Sequence, residues 1–325
     1  MSFHRMLLMA RTYILHKKSN TLRELKEPIT KLPKRDEFLW IDIHENREDF
    51  LAIKEIFKIH PLSVDDCLKK ETRIKIEVFE KYVLAILYGI TVQKGELKIQ
   101  EVDFILGQNF IITNHLNDIG AIHVLHDEPK ELQHLLAKGP EFVLQYIVDR
   151  LMESYFTAIE SIDQEIDLIE AKVFKKADSH SLAKLFKFKQ HVMDLKRHTT
   201  NHREVINAMA KRTVPFFSFR SEVYFRDTYY KIIRITDFIE IHREIVANIV
   251  ETHTIVISNK MNQIIKVLTV ITTIGMPATV IGTWYGMNFH YIPELDWKWS
   301  YPVASLAVVL FTASMLMYFK KKSWL

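Results

Sequence analysis

The sequence predicts a mixed α/β domain that continues into long helices and ends in two membrane-spanning helices. Three observations carry that expectation. Val267 to Asn288 and Pro302 to Phe319 are apolar runs without a charged residue, each near the ~20 residues that a helix needs to cross a bilayer core. All eight glycines lie either from Gly89 to Gly139 or in the first apolar run, at Gly275, Gly282 and Gly286. From Glu141 to Val214 no glycine or proline interrupts a series of apolar residues at helical spacing.

The chain has 325 residues, of which 26% are charged, so most of its mass belongs in water. About 260 residues precede the spans, enough for one large domain or two smaller ones with real cores. A net charge of +4 is too small to argue for nucleic acid, and part of it is Lys320-Lys321-Lys322. The single cysteine, Cys67, rules out an intramolecular disulfide and fits a reducing compartment. The first residues, MSFHRMLLMARTYILHKK, have an apolar run broken by Arg11 and no small-residue cleavage site, so no signal peptide is expected.

Residues 1–125 are expected to form the α/β domain. Phe38 to Ile43 has the composition of a strand, and Arg47 to Ile59 has helical spacing in Phe50, Ile53, Ile56 and Phe57. Pro61 to Leu68 predicts a short helix with Ser63 as its N-cap. Lys75 to Phe79, Tyr82 to Val92, Leu97 to Leu106 and Phe110 to Thr113 are β-branched or aromatic runs. Turn signals at Lys94-Gly95 and Gly107-Gln108-Asn109 separate them. Residues 126–214 then predict a helical hairpin broken at Ala177-Asp178-Ser179-His180-Ser181. Its first arm has an acidic face (Glu153, Glu160, Asp163, Glu165, Asp167, Glu170), which is ordinarily a solvated one. Residues 215–266 predict a stalk helix with no breaker after Pro215, running straight into the first span. Such a helix is seldom stable alone and should pack on the hairpin or on copies of itself.

The spans are expected at 267–288 and 302–319, joined by a loop over 289–301 and followed by a basic tail, 320–325. Lys260 and Lys266 precede the first span and the lysine triplet follows the second. The loop holds Glu294 and Asp296 against Lys298. The positive-inside rule therefore puts the body and both termini in the cytoplasm and the loop outside, in a multi-pass protein of the cell membrane. Trp297, Trp299, Tyr291 and Tyr301 suit the membrane–water interface.

At ~100° per residue, Thr272, Met276, Thr279 and Thr283 share one sector of the first span. Leu268, Thr269 and Ile265 extend that face. Two spans cannot enclose a water-filled path, so a pore on this stripe requires several subunits. Threonines in a membrane helix also bond their own carbonyls or a neighbouring helix. Periodicity alone leaves pore and packing evenly matched.

Tyr285-Gly286-Met287-Asn288, with Pro293-Glu294-Leu295 following, resembles the Gly-Met-Asn signature of the CorA family of magnesium transporters. Met261-Asn262, Lys266-Val267-Leu268, Met276-Pro277, Lys298-Trp299 and the lysine-rich end agree with that pattern, and the likeness spans the whole architecture. It implies a funnel-shaped homopentamer in a lipid bilayer. The first spans would line the pore, and Asn288 would form the outer selectivity ring, with Gly286 and Met287 holding the turn. Asn262, Leu268, Met276 and Thr279 match the family's pore-lining positions, with Thr272 and Thr283 on the same stripe. Thr283 stands where some members have glycine, and Glu251 where some have aspartate. The resemblance also implies a regulatory divalent site between subunits, at the positions of Asp66 and Asp227. Mg2+ would then be both cargo and regulator, with Co2+ as a further cargo, and Glu294 would concentrate cations at the mouth.

A neutral amide ring suits an ion that dehydrates reluctantly and keeps its waters. Two other readings stay open here: a Co2+, Ni2+ or Zn2+ transporter of the same fold, and a membrane-tethered oligomeric sensor or scaffold without flux. His198 and His202 stand four apart, a zinc-compatible spacing. They lack the accompanying glutamate and are expected to be exposed and structural. Cys67 is expected to be buried. No nucleophile–base pair or phosphate loop is present, so no enzyme is expected.

Overall fold

The structure is a computed structural model that describes residues 10–69, 72–93, 96–175, 179–288, 290 and 292–324. The turn expected at Lys94-Gly95, the hairpin break at Ala177-Asp178 and the interfacial Tyr291 lie outside the described residues, as does the N-terminal segment 1–9. The chain divides into two compact units, residues 1–171 with 180–248, and residues 172–179 with 249–325.

The first unit is built on a seven-stranded sheet in the order β2-β1-β3-β7-β6-β5-β4. Its strands are β1 (Arg11–His16), β2 (Thr21–Leu25), β3 (Glu37–His44), β4 (Lys75–Val78), β5 (Tyr82–Gln93), β6 (Glu96–Gly107) and β7 (Phe110–His115). Every neighbouring pair is antiparallel except β3 and β7, where Leu39 lies beside Phe110 and Ile43 beside Asn114. The β1–β2 hairpin was not expected from the sequence. Its strands are short, and the turn between them takes Asn20 to φ +48°, a conformation that asparagine tolerates better than most residues.

Helices α1 (Arg47–Phe57) and α2 (Pro61–Leu68) follow β3. Asn46 caps α1 by accepting from the Glu48 and Asp49 amides at 3.0 and 3.1 Å. The cap of α2 is His60, whose Nδ1 accepts from the Leu62 amide at 3.2 Å, and not Ser63. Ser63 sits one turn inside and bonds the Tyr82 hydroxyl at 2.8 Å instead. Pro61 explains the shift, because proline starts a helix at its first position without losing a needed donor. Two short helices follow β7: α3 (Gly120–Asp127), which crosses the boundary expected at residue 125, and α4 (Pro129–Lys138), which occupies residues assigned above to the hairpin. The first long arm, α5 (Pro140–Lys175), begins at Pro140, and the second is α6 (Ser179–Ala210).

Strand β5 shows how the arms meet the sheet. Strand β4 pairs it only from Val83 to Ile86, so beyond that point one edge of β5 is open. An unpaired backbone donor there would be costly if buried. The Tyr88 amide donates to His202 Nε2 on α6 at 2.9 Å, and the Ile90 amide to Ser154 Oγ on α5 at 2.9 Å. Between them, a Cβ added at Gly89 would meet the end of the Leu151 side chain of α5 at 2.7 Å, so a larger residue would require that leucine to move aside. His202 is fully buried, with Nδ1 bonded to the His198 carbonyl at 2.8 Å. Both histidines are thus buried, not exposed, and neither ring nitrogen of His202 is left for zinc. We expect His202→Ala to lower stability by about 3 kcal/mol, combining an orphaned amide and a cavity, which a thermal melt will read.

Burial strips water from the His202 cation and lowers its pKa to about 3. A second histidine moves the other way. Asp42 is buried and bonded by His115 Nε2 at 3.2 Å, by His126 Nε2 at 2.8 Å and by Thr113. Burial pushes the Asp42 carboxyl up, but these hydrogen bonds and the His115 charge outweigh it and hold it well below the usual carboxylate range. Burial likewise pulls His115 down, and the Asp42 hydrogen bond and charge outweigh it, leaving its pKa raised. A raised histidine stabilises the fold below its unfolded value of ~6.5 and loses that contribution as pH rises through its folded value. A lowered one destabilises on acidification below ~6.5, by up to about 1.4 kcal/mol per pH unit. The melting temperature is therefore expected to fall on both sides of about pH 6.5, and His115→Gln should flatten the alkaline limb alone.

A third long helix, α7 (Phe219–Tyr285), is 67 residues in one piece. Within the first unit it packs on both hairpin arms through Phe225, Ile232, Ile235, Ile239 and Val246. Lys231 bonds Asp149 at 2.7 Å and Glu153 at 3.2 Å, His242 bonds Asp163 at 2.5 Å, and Glu240 pairs with Lys196 of α6 at 2.7 Å. Part of the acidic face is therefore a helix–helix seam rather than a solvated surface.

In the second unit α7 continues through Pro277 and ends at Tyr285, three residues before the expected end of the span. A single 3-10 turn, Pro293–Asp296, precedes α8 (Ser300–Lys321). Both helices are long and apolar enough to cross a membrane, and their apolar windows are only 6% buried by the chain itself. Val270 and Phe319 are the buried exceptions, Phe319 stacks on Trp324 at 5.7 Å, and Lys266 lies over Trp324 at 6.0 Å.

Candidate functional site

The last turn of α7 is where the Gly-Met-Asn segment begins. The Gly286 amide donates to the Gly282 carbonyl at 3.0 Å, and the Met287 amide reaches the Trp284 carbonyl at 3.4 Å. A Cβ on Gly286 would stand 3.1 Å from the Gly282 oxygen, so a larger residue could enter only if that turn yielded by a few tenths of an ångström. Asn288 follows outside the helix. It is exposed, and its amide has no hydrogen-bond partner among the described residues. Met287 is exposed as well. Beside this turn the C-terminal end of α7 and the N-terminal end of α8 flank an apolar cleft of about 540 Å³, with Tyr285, Gly282, Trp297 and Tyr301 on its walls.

Down the same helix Leu268, Met276, Thr272, Thr279, Thr283 and Asn262 are all exposed in the single chain. The threonine hydroxyls donate to carbonyls one turn back: Thr272 to Leu268 at 2.9 Å, Thr279 to Gly275 at 3.1 Å and Thr283 to Thr279 at 2.6 Å. Internal bonding was one of the two readings of this stripe. It uses the hydroxyl hydrogen and leaves oxygen lone pairs facing outward as acceptors. Glu294 is exposed at the start of the 3-10 turn.

The two acidic positions implied as a regulatory site differ in their surroundings. Asp227 on α7 is exposed and has no ion-pair partner among the described residues. Asp66 on α2 is partly buried and accepts from Lys75 Nζ at 2.7 Å. Lys75 also bonds Glu77 at 2.8 Å; burial lowers its pKa, but these two carboxylates outweigh that and leave it raised. Sequence reasoning missed this lysine, which lies nine residues along the chain on β4. No bond joins Asp66 to Asp227 among the described residues. The next residue, Cys67, is buried as expected. Desolvation and then the nearby Asp103 charge push its thiol well above the ordinary value, so it is not a ready thiolate ligand.

The chain resembles known proteins over most of its length. The pattern of the family described as "CorA-like Mg2+ transporter protein" matches residues 35–321. The Cobalt/magnesium transport protein CorA of Thermotoga maritima is 34% identical over 301 residues, covering 90% of this chain and 86% of that protein. The protein of the same name from Methanocaldococcus jannaschii is 23% identical over 90% of this chain and 95% of its own length. The solved structure of the complete CorA magnesium transporter from M. jannaschii superposes with a TM-score of 0.82 at 20% identity, covering 97% of this chain and 98% of that one. Family pattern, whole-length relatives and fold coincide, and the chain belongs to the CorA-like Mg2+ transporter family, membrane transporters rather than enzymes.

Proposed function

We propose that this protein is a homopentameric Mg2+ channel that admits the ion into the cytoplasm and closes when internal Mg2+ is high. The observation that carries this reading is the turn Gly286 to Asn288. It closes the helix bearing the threonine and methionine stripe and presents an amide with no partner among the described residues. Five copies of α7 around an axis would place five Asn288 amides in one ring. Their oxygens accept hydrogen bonds from the water shell of Mg2+, which prefers six oxygens and dehydrates reluctantly. A carboxylate ring would hold the ion more firmly and slow its exit. Thr283, Thr279 and Thr272 continue the path with outward oxygens, Met276 and Leu268 form an apolar constriction, and Asn262 stands at the inner end. Glu294 raises the cation concentration at the mouth.

The apolar surface left bare on α7 and α8 supports oligomerisation and lipid contact together. Lys266 and Lys320 to Lys322 put the inner ends, and with them both termini, in the cytoplasm. Entry follows the membrane potential, about 4.6 kcal/mol for a divalent ion at 100 mV. Co2+ is proposed as a second cargo because an outer-sphere ring separates similar hydrated ions poorly, and the Thermotoga relative is named for both metals.

Asp66 of one subunit and Asp227 of its neighbour fit a regulatory divalent ion by the chemistry of their donors, hard carboxylate oxygens. Lys75 is a built-in competitor for Asp66. Removing it as Lys75→Gln should tighten regulatory Mg2+ binding by roughly 3–10-fold, on the order of 1 kcal/mol for a partly exposed pair. Protection from proteolysis as a function of Mg2+ concentration reads that shift.

The direct test is flux. Purified protein in liposomes loaded with a Mg2+-sensitive dye is expected to show uptake that rises when the interior is made negative. If neither Mg2+ nor Co2+ moves, the protein is a tethered scaffold and the channel reading fails.

A further inference from the structure

We infer that the cavity between the open part of the sheet and α6 binds a small phosphate-bearing anion with a flat apolar group, the chemistry of a mononucleotide. The cavity has a volume of about 480 Å³, within the range of small-molecule sites, and lies wholly in the first unit. Arg73 comes to its rim from the segment before β4, and Arg197 and Asn201 from α6. Ile74, Ile99 and Tyr88 supply an apolar wall.

What sets this cavity apart from a solvated basic surface is its unsatisfied polar groups. Arg73 has no carboxylate partner among the described residues. Arg197 has one, Asp194, at 3.5 Å, and both of those side chains are mostly exposed, a pair too weak to compete with a bound anion. The Asn201 amide has no hydrogen-bond partner among the described residues. His198 lines the cavity at 4% exposure, and its Nδ1 is buried without a partner. Its ring is held edge-on to Tyr88 at 5.3 Å. Glu101 is the neighbouring anion on β6, and its carboxylate is taken up by the Thr72 amide at 3.0 Å.

Two guanidinium groups at one rim suit the fork geometry of a phosphate. A planar group can lie against Ile74, Ile99 and the Tyr88 ring, while Asn201 offers both a donor and an acceptor to its polar edge. A small turn of the His198 ring gives Nδ1 to a ligand hydroxyl. The cavity is also tied to the Asp66 segment. The Thr72 hydroxyl donates to the Asp66 carbonyl at 2.9 Å, and the Tyr88 hydroxyl donates to the Thr72 carbonyl.

The test is calorimetric titration of the full-length detergent-purified protein in metal-free buffer, with AMP and with inorganic phosphate. AMP is expected to bind, with phosphate at least ~10-fold weaker because it lacks the apolar contacts. Arg73→Gln and Arg197→Gln should each weaken AMP by at least ~5-fold and together abolish its binding. Lys130→Gln, on the exposed face of α4, should change nothing. Both arginines are on the surface, and far-ultraviolet circular dichroism will confirm that the variants stay folded. Absence of AMP binding at millimolar concentration overturns the inference, as does AMP binding that survives the double variant. Phosphate binding as tight as AMP overturns the nucleotide assignment.

Discussion

Replacing Asn288 with alanine is expected to abolish Mg2+ uptake while leaving the protein folded and oligomeric. The fold should survive because Asn288 lies beyond the end of α7, is exposed and bonds nothing described in its own chain. Flux should not survive, because in the proposed pentamer the substitution acts five times on one ring. If each amide stabilises the hydrated ion by about 1 kcal/mol, the ring contributes about 5 kcal/mol, more than 10³ in rate. Dye-loaded liposomes measure the loss, and gel filtration checks the assembly. Asn288→Asp discriminates further. A carboxylate ring binds the ion more firmly and should lower the maximal rate while lowering the concentration at half-maximal flux. Uptake at the wild-type rate in Asn288→Ala would place selectivity elsewhere on the path.

The second large effect is on closure. Asp66→Ala combined with Asp227→Ala should leave uptake running at internal Mg2+ concentrations that shut the unmodified channel. Ten carboxylates disappear from the five proposed interfaces, so the ion loses its ligands and the like-charge repulsion that opens the assembly in its absence is removed too. Asp227→Ala alone should act more strongly than Asp66→Ala alone. Asp227 is free to meet a metal, whereas Asp66 is already neutralised by Lys75 at 2.7 Å. Patch-clamp or flux recordings over a series of internal Mg2+ concentrations give the comparison. Shut-off unchanged in the double variant refutes the regulatory role of this pair.

The contrast between Asn288 and Asp66 shows where sequence and structure each decided matters. Hydropathy and helical periodicity are local properties, so the two spans, the breaker-free stalk and the long hairpin were legible from residue order. So was the Gly-Met-Asn turn, because its three residues are contiguous and its helix is held by bonds between near neighbours. Pairings across the chain were not legible. Strands β1 and β2 depend on β3 for their register, and α3 and α4 are too short for periodicity to announce them. Tyr88 and His202 are 114 residues apart, yet their bond converts an expected exposed histidine into a buried edge cap. Asp42 and His115 meet only because β3 lies beside β7, and that meeting lowers the pKa of the one and raises that of the other.

By itself the sequence determined the class of this protein: two C-terminal apolar helices, the polar stripe on the first and the Gly-Met-Asn segment that follows it. All of these follow from composition and spacing over a few turns of helix. Only the tertiary structure decided which polar groups are satisfied. It assigned Lys75 to Asp66, left Asp227 without an ion pair and the Asn288 amide without a hydrogen bond among the described residues, and turned part of the hairpin's acidic face into a seam with α7. The physical reason is that a side chain's availability for an ion depends on what else reaches it in space. Burial and hydrogen bonding across tens of residues settle that, and no local pattern encodes it.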